Sequence, residues 1–261
     1  MAISKLMTKE NIGGKAANLA KIDPDMVPRY IVLPHKSPVT TASANPVVAS
    51  FTGYSPSMNR FPKTSKAMMS YHVNNKLRYA VRSSAVAEDG KDKSFAGMFE
   101  SKLNVRWNEL HDAIIDVRSS VNSERLKSYG IDGDDLRMAV IVMDMVDAKW
   151  SGTLFTRDSV ENKSRMLMEY EEGVGGVVDG ERDTEIIFFD TEQFYSDDIK
   201  YRYLTPMPYF ALHRIWAEAR RLEGVFGTPV DIEWAIDYAH KAWILQVRPI
   251  VQQIEKQEAL C

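Results

Sequence analysis

Asp231, Glu233, Gln246 and Arg248 carry the sharpest chemical signal in this 261-residue chain. They lie on two runs, DIEWAID and WILQVRP, separated by Tyr238-Ala239-His240-Lys241. A four-residue turn there pairs Asp237 with Ala242, Glu233 with Gln246 and Asp231 with Arg248. Side chains alternate faces along a strand. The polar residues then share one face, and Ile232, Trp234, Ile236, Leu245 and Val247 share the other, which packs on a core. Two carboxylates, an amide and a guanidinium hold a hard cation beside a polyphosphate. Carboxylate and amide oxygens suit Mg²⁺, and an arginine fork suits phosphate oxygens. The plain alternative is a solvent-facing hairpin with cross-strand ion pairs contributing ~0.2–1 kcal/mol each. Gln opposite Glu is not an ion pair, which favours a site.

Cations nearer the front of the chain can meet that face. Lys15 follows Gly13-Gly14, where a turn opens a short helix and backbone N–H groups favour an anion. The pattern is not the nucleotide-binding P-loop, which needs Gly where Lys9 sits and Ser or Thr where Ala16 sits. An ordinary surface lysine is the alternative. Arg82 ends an apolar strand beside Ser83 and Ser84, either as a phosphate contact or as a loop anchor paired with Glu88 or Asp89. Ser94-Phe95-Ala96-Gly97 reads as a loop closing over phosphates or as a plain turn. The stretch 173–180 lacks the third glycine of the dinucleotide fingerprint, since position 178 is Val. None of the 5 histidines shares a metal-type spacing with another.

The elements that must position these groups alternate irregularly. Helical periodicity covers 107–129, with Leu110, Ile114, Val117 and Val121 on one face and Gly130 as a stop, and again 208–223. Strand-like runs occupy 30–33, 77–81, 102–105, 137–146, 152–156, 165–170, 184–189, 231–237 and 243–247. Residues 34–66 read as an irregular stretch. Without strict βαβ alternation, the fold class is α+β. Hydrophobic residues at 44% and charged residues at 26% exclude wholesale disorder, and a net charge of −3 gives no footprint for nucleic acid. The single cysteine, Cys261, excludes an intramolecular disulfide and a zinc site built on cysteine pairs. No apolar segment reads as an export signal or membrane span, so the expectation is a cytoplasmic protein with no membrane or nucleic-acid partner.

The chain resembles the N-terminal nucleotide-binding domain of the phosphoenolpyruvate synthase and pyruvate phosphate dikinase family, which the rifampicin phosphotransferases share. The stretches that carry the resemblance are Gly13-Gly14-Lys15-Ala16-Ala17-Asn18-Leu19, YAVRSSAVAEDGKDKSFAGMFESKLNV at 79–105, VDAKWSGTLFTRD at 146–158, DIEWAID at 231–237 and LQVRPI at 245–250. The resemblance implies an ATP-grasp fold, with ATP between two α+β lobes: an N-terminal lobe over 1–136, a C-terminal lobe over 137–250 and a tail over 251–261. It assigns Lys15, Arg82 and Arg248 to the phosphates, Ser94 and Gly97 to the flap, and Glu233 and Gln246 to Mg²⁺ with Asp231 in support. It lays the adenine along Met143, Asp144, Met145 and Val146.

The chain departs from the family at particular residues. Met143 stands where Gln is usual, Gly176 replaces an expected acid, and Pro28-Arg29-Tyr30 replaces Pro-x-Gly-Phe. No histidine lies in the family's Thr-x-His context, so the resemblance implies an acceptor elsewhere: a histidine of a separate protein, a small molecule or water. The expected function is an ATP-dependent phosphotransferase half-enzyme that passes a phosphoryl or pyrophosphoryl group from Mg·ATP, with Asp231 as the candidate base. The alternative is a nucleotide-binding regulator or decoy without catalysis.

Overall fold

A computed structural model of the chain describes residues 9–35, 77–85, 100–122, 137–158, 165–173, 184–194 and 206–250. Ser94 and Gly97 of the expected flap, and Gly130 and Gly176, lie outside the described residues. Among the described residues, two antiparallel sheets and three α-helices make the α+β architecture that the sequence predicts. The first sheet orders β1 (Tyr30–Leu33), β4 (Met138–Asp144), β2 (Arg78–Ala85) and β3 (Ser101–Arg106) as β1-β4-β2-β3. The second comprises β5 (Ala148–Phe155), β6 (Arg165–Glu172), β7 (Glu185–Asp190), β8 (Val230–Asp237) and β9 (Ala242–Pro249), in the order β7-β6-β5-β8-β9.

Each apolar periodicity finds its core. Helix α2 (Leu110–Ser119) buries Leu110, Ala113, Ile114 and Val117 against the outer face of the first sheet, where Val81, Val140 and Val142 lie. Burying a side chain of that size contributes about 1.5–3 kcal/mol. Within the expected 107–129, its flanks tighten into 3₁₀ turns at Trp107–Glu109 and Ser120–Asn122, and residues 123–129 lie outside the described residues. Helix α3 (Tyr209–Phe226) buries Leu212, Ile215, Ala219 and Leu222 on the second sheet. The kinked helix α1 (Lys9–Leu19) adds Ile12, Ala16 and Leu19 to the same core.

Strand β4 explains where the sheets divide. Ala139, Ile141 and Met143 point into the larger core, while Val140 and Val142 point into the α2 side. A strand buried on both faces belongs in the middle of a sheet, and β4 pairs with β1 on one edge and β2 on the other. The break between sheets therefore falls in the link 145–147. Strand β2 likewise runs past Arg82, since Ser83, Ser84 and Ala85 pair with Val140, Ala139 and Met138. Arg82 is a mid-strand residue rather than a strand end. In β5, a Cβ on Gly152 would meet Glu169 O at 1.9 Å, so only glycine lets β6 approach this closely. No helix among the described residues is long and apolar enough to cross a membrane.

Candidate functional site

The β8–β9 hairpin pairs Glu233 with Gln246 and Asp231 with Arg248, as the alternation predicts. Two local departures cancel to give that register. The turn holds Tyr238, Ala239 and His240 rather than four residues: Asp237 N–H donates to Lys241 O at 3.1 Å, and His240 takes φ 64°. A three-residue turn closed by a left-handed residue is a standard hairpin connection. Near the turn Trp234 therefore faces Ile244, one position short of the expected partner. A bulge between these pairs takes up Leu245 and restores the expected register beyond it. Ile244, not Leu245, joins Ile232, Trp234, Ile236 and Val247 in the core.

The bulge has a chemical use. Arg82 Nη1 donates to Leu245 O at 3.1 Å, and Arg82 Nη2 is ion-paired with Glu233 Oε2. The first sheet thereby reaches the second through one guanidinium. Gln246 Nε2 donates to Glu233 Oε1 at 2.9 Å, so both carboxylate oxygens are engaged. Burial pushes the Glu233 pKa up, but the charges of Arg82, Lys15 and Arg248 outweigh it and hold the carboxyl below its ordinary value. Lys15 is close enough for its charge to be felt at Glu233, so the front of the chain and the hairpin do meet.

Asp231 behaves differently. Arg248 Nε and Nη2 both reach Asp231 Oδ2, at 2.6 and 2.5 Å. Burial is the larger influence and raises the Asp231 pKa, with Glu233 adding to the rise and Arg248 opposing it. Asp231 Oδ1 and Arg82 Nε are buried and lack a hydrogen-bond partner among the described residues. A buried polar group left unpaired costs about 1–3 kcal/mol, so these atoms call for a ligand. An anion oxygen suits Arg82 Nε, and a cation or proton donor suits Asp231 Oδ1.

A clip not visible in the sequence holds Lys15. The Ser84 hydroxyl donates to Ile12 O at 2.7 Å and accepts from Ala16 N–H at 3.0 Å. Gly13 sits between them at φ 76°, and a Cβ there would meet Ser84 O at 2.0 Å. Of the two serines beside Arg82, Ser84 is spent on this clip, and Ser83 is fully buried. Their adjacent small hydroxyls were the available signal, but the partner segment lies 68 residues away.

The expected adenine strand is drawn into internal bonding. Met143 is 2% exposed in the larger core. Asp144 accepts from Arg29 Nε at 2.6 Å, and its N–H donates to Arg29 O at 2.8 Å. Burial raises the Asp144 pKa against the opposing Arg29 charge. Met145 N–H donates to Arg78 O at 2.9 Å. Val146 lies half-buried in the link between sheets. A separate cavity of about 490 Å³, lined by Thr156, Arg157, Arg220, Glu223, Gly227 and Pro229 among others, contains none of the sequence-predicted site residues.

No group of three or more His, Cys, Asp and Glu residues able to hold a metal occurs among the described residues. A cation here would take few protein ligands, Glu233 and Gln246 with Asp231 beside them. That donor set fits Mg²⁺, which keeps several waters and phosphate oxygens.

Residues 63–201 and 211–260 match the pyruvate phosphate dikinase AMP/ATP-binding domain. The prodigiosin synthesizing transferase PigC of Serratia marcescens is 28% identical over 212 residues, spanning 69% of this chain and 23% of that protein. The rifampicin phosphotransferase of Bacillus subtilis is 32% identical over 205 residues, 66% of this chain and 23% of that one. The phosphoenolpyruvate synthase of Aeropyrum pernix is 30% identical over 242 residues, 70% of this chain and 30% of that one. The chain thus spans between 23% and 30% of the length of these relatives. Among solved structures, the ADP complex of N5-carboxyaminoimidazole ribonucleotide synthetase gives a TM-score of 0.42 at 7% identity, covering 94% of this chain and 46% of that one, too loose a likeness to assign a fold. By the stretch matched, which takes in Arg82 and the whole β8–β9 hairpin, this chain belongs to the pyruvate phosphate dikinase AMP/ATP-binding domain family.

Proposed function

We propose that the chain binds Mg·ATP between its two sheets, in an ATP-grasp arrangement, and passes a phosphoryl or pyrophosphoryl group to an acceptor on another molecule. The observation that carries this reading is the Arg82 bridge. A guanidinium from one sheet lies on the carboxylate of the other and keeps a buried N–H without an acceptor. Lys15, Arg82 and Arg248 neutralise phosphate charge, and such fixed charges stabilise a loose phosphoryl-transfer transition state. Glu233 and Gln246 would hold Mg²⁺, which would supply charge neutralisation at the phosphates. Asp231, with its raised carboxyl, is placed to accept the acceptor's proton. The acceptor is a separate histidine-carrying protein or a small molecule, and the protein works in the cytoplasm.

The committed hydrogen bonds at Asp144 and Met145 favour a second reading, a nucleotide-binding regulator or decoy of a full-length synthase or other partner, without turnover. Two measurements separate the readings. Thermal stabilisation by Mg·ATP tests binding: about 2.7 kcal/mol is expected at a hundredfold excess over the dissociation constant, and no shift removes both readings. Product analysis tests turnover. AMP supports dikinase-type chemistry and ADP a simple kinase, each lost in Glu233→Ala; saturable binding with no product at any acceptor leaves the regulator.

A further inference from the structure

We infer that Ser84 is a positioning residue that sets Lys15 at the phosphates. The inference rests on the nucleotide reading above and deepens it. Two hydrogen bonds of its hydroxyl and one close approach to its backbone converge on this residue. Its hydroxyl donates to Ile12 O, immediately before the kink of α1, and accepts from Ala16 N–H, immediately after Lys15. The kink itself, Gly13, lies on the Ser84 carbonyl so closely that no other residue fits, and its positive φ excludes most others as well. Ser84 is fully buried, so water cannot stand in for the hydroxyl.

The clip spans Lys15 on both sides and fastens it to the strand that carries Arg82. Strand residues 82 and 84 share a face, so the hydroxyl and the guanidinium point to the same side of β2. Lys15 and Arg82 are in this way one preassembled unit, and the Lys15 charge registers at Glu233. Without the hydroxyl, Ile12 O and Ala16 N–H lose this buried partner.

The test is a double-mutant cycle read by calorimetric titration of the full chain with Mg·ATP. Ser84→Ala is expected to weaken binding about tenfold, the order of one misplaced charged hydrogen bond. In a Lys15→Ala background the same change is expected to cost nothing further, because Lys15 is what the clip positions. Amide hydrogen exchange at Ala16 in nucleotide-free protein is expected to quicken in Ser84→Ala. A general loss of structure would weaken binding equally with and without Lys15, and that result overturns the inference. Unchanged affinity or unchanged Ala16 exchange overturns it too. If Ser84→Ala does not fold, Ser84→Cys, with a weaker donor and acceptor, is read by the same criteria. Wild-type protein that binds no ATP overturns the nucleotide reading itself, and this inference with it; normal wild-type binding with an additive cycle overturns the inference alone.

Discussion

The β8–β9 hairpin and the link between the sheets are built on opposite principles. At the end with the hairpin, the charged groups sit in pairs that a ligand can exchange: Arg82 on Glu233 and Arg248 on Asp231, with Arg82 Nε and Asp231 Oδ1 left over. At the link between the sheets, the groups expected to read a base are already used. Met143 is core, Asp144 holds Arg29 and Met145 N–H holds Arg78 O. Phosphate and metal can compete for the first end by swapping one ion for another. A base at the second end must displace bonds that hold the sheet together. On the nucleotide reading proposed above, the protein would grip the charged part of the ligand and take little specificity from the base.

The largest expected effect comes from breaking the structural end. Asp144→Ala leaves the Arg29 guanidinium, 18% exposed, without its carboxylate. Removing one partner of such a pair typically costs about 3–5 kcal/mol, so a loss of that size is expected in urea unfolding. A loss below about 1 kcal/mol would mean that the pair is not structural, and the contrast between the ends would fail. The next effect belongs to the phosphate end. Arg82→Ala is expected to weaken Mg·ATP binding by about thirtyfold to a hundredfold, since hydrogen bonds to charged groups contribute about 1.5–3 kcal/mol each. Titration calorimetry on a variant first shown to be folded reads this directly, and an unchanged affinity would remove Arg82 from the site.

Much of the hairpin end was legible in the sequence, and the reason is local. Alternation along DIEWAID and WILQVRP places Asp231, Glu233, Gln246 and Arg248 on one face whatever the rest of the fold does. The pairing is correct through compensation, however. The turn is one residue shorter than expected and the Leu245 bulge one residue longer, and neither His240 in a left-handed conformation nor a mid-strand leucine announces itself in the sequence. The α+β class followed from the irregular order of elements. The sheet boundary did not, because an apolar run such as MAVIVMD shows that it is buried without showing between which neighbours. Ser84 and the Arg29–Asp144 pair were hidden for the same reason. Their partners are 72 and 115 residues away, and no local pattern encodes a contact at that separation.

A smaller effect sharpens the comparison from the base side. With Met145 N–H and the Asp144 carboxylate committed internally, exchanging adenine for guanine should cost little. Mg·GTP is expected to bind within about tenfold of Mg·ATP, a difference of about 1.4 kcal/mol. Discrimination of a thousandfold in competition titrations would show that the base is read by groups other than these, and the two ends would no longer differ in kind.

The smallest expected effect separates two carboxylates on the same face of the same hairpin by the pH at which each matters. The folded pKa of Glu233 is depressed, so its stabilisation is fully present above the unfolded pKa, ordinarily about 4.3, and is lost as pH falls through the folded value. Asp231 has the opposite sign. Its folded pKa is raised, so its contribution turns unfavourable as pH climbs from its ordinary value, about 3.9, through the folded one. Urea unfolding along a pH series should therefore show Glu233→Gln least stable relative to wild type near neutrality and converging with it in acid. Asp231→Asn should gain on wild type as pH rises over the acid range. Parallel curves for the two variants would mean that Arg82 and Lys15 do not act on Glu233 more strongly than Arg248 acts on Asp231, and the cross-sheet bridge would lose its electrostatic basis.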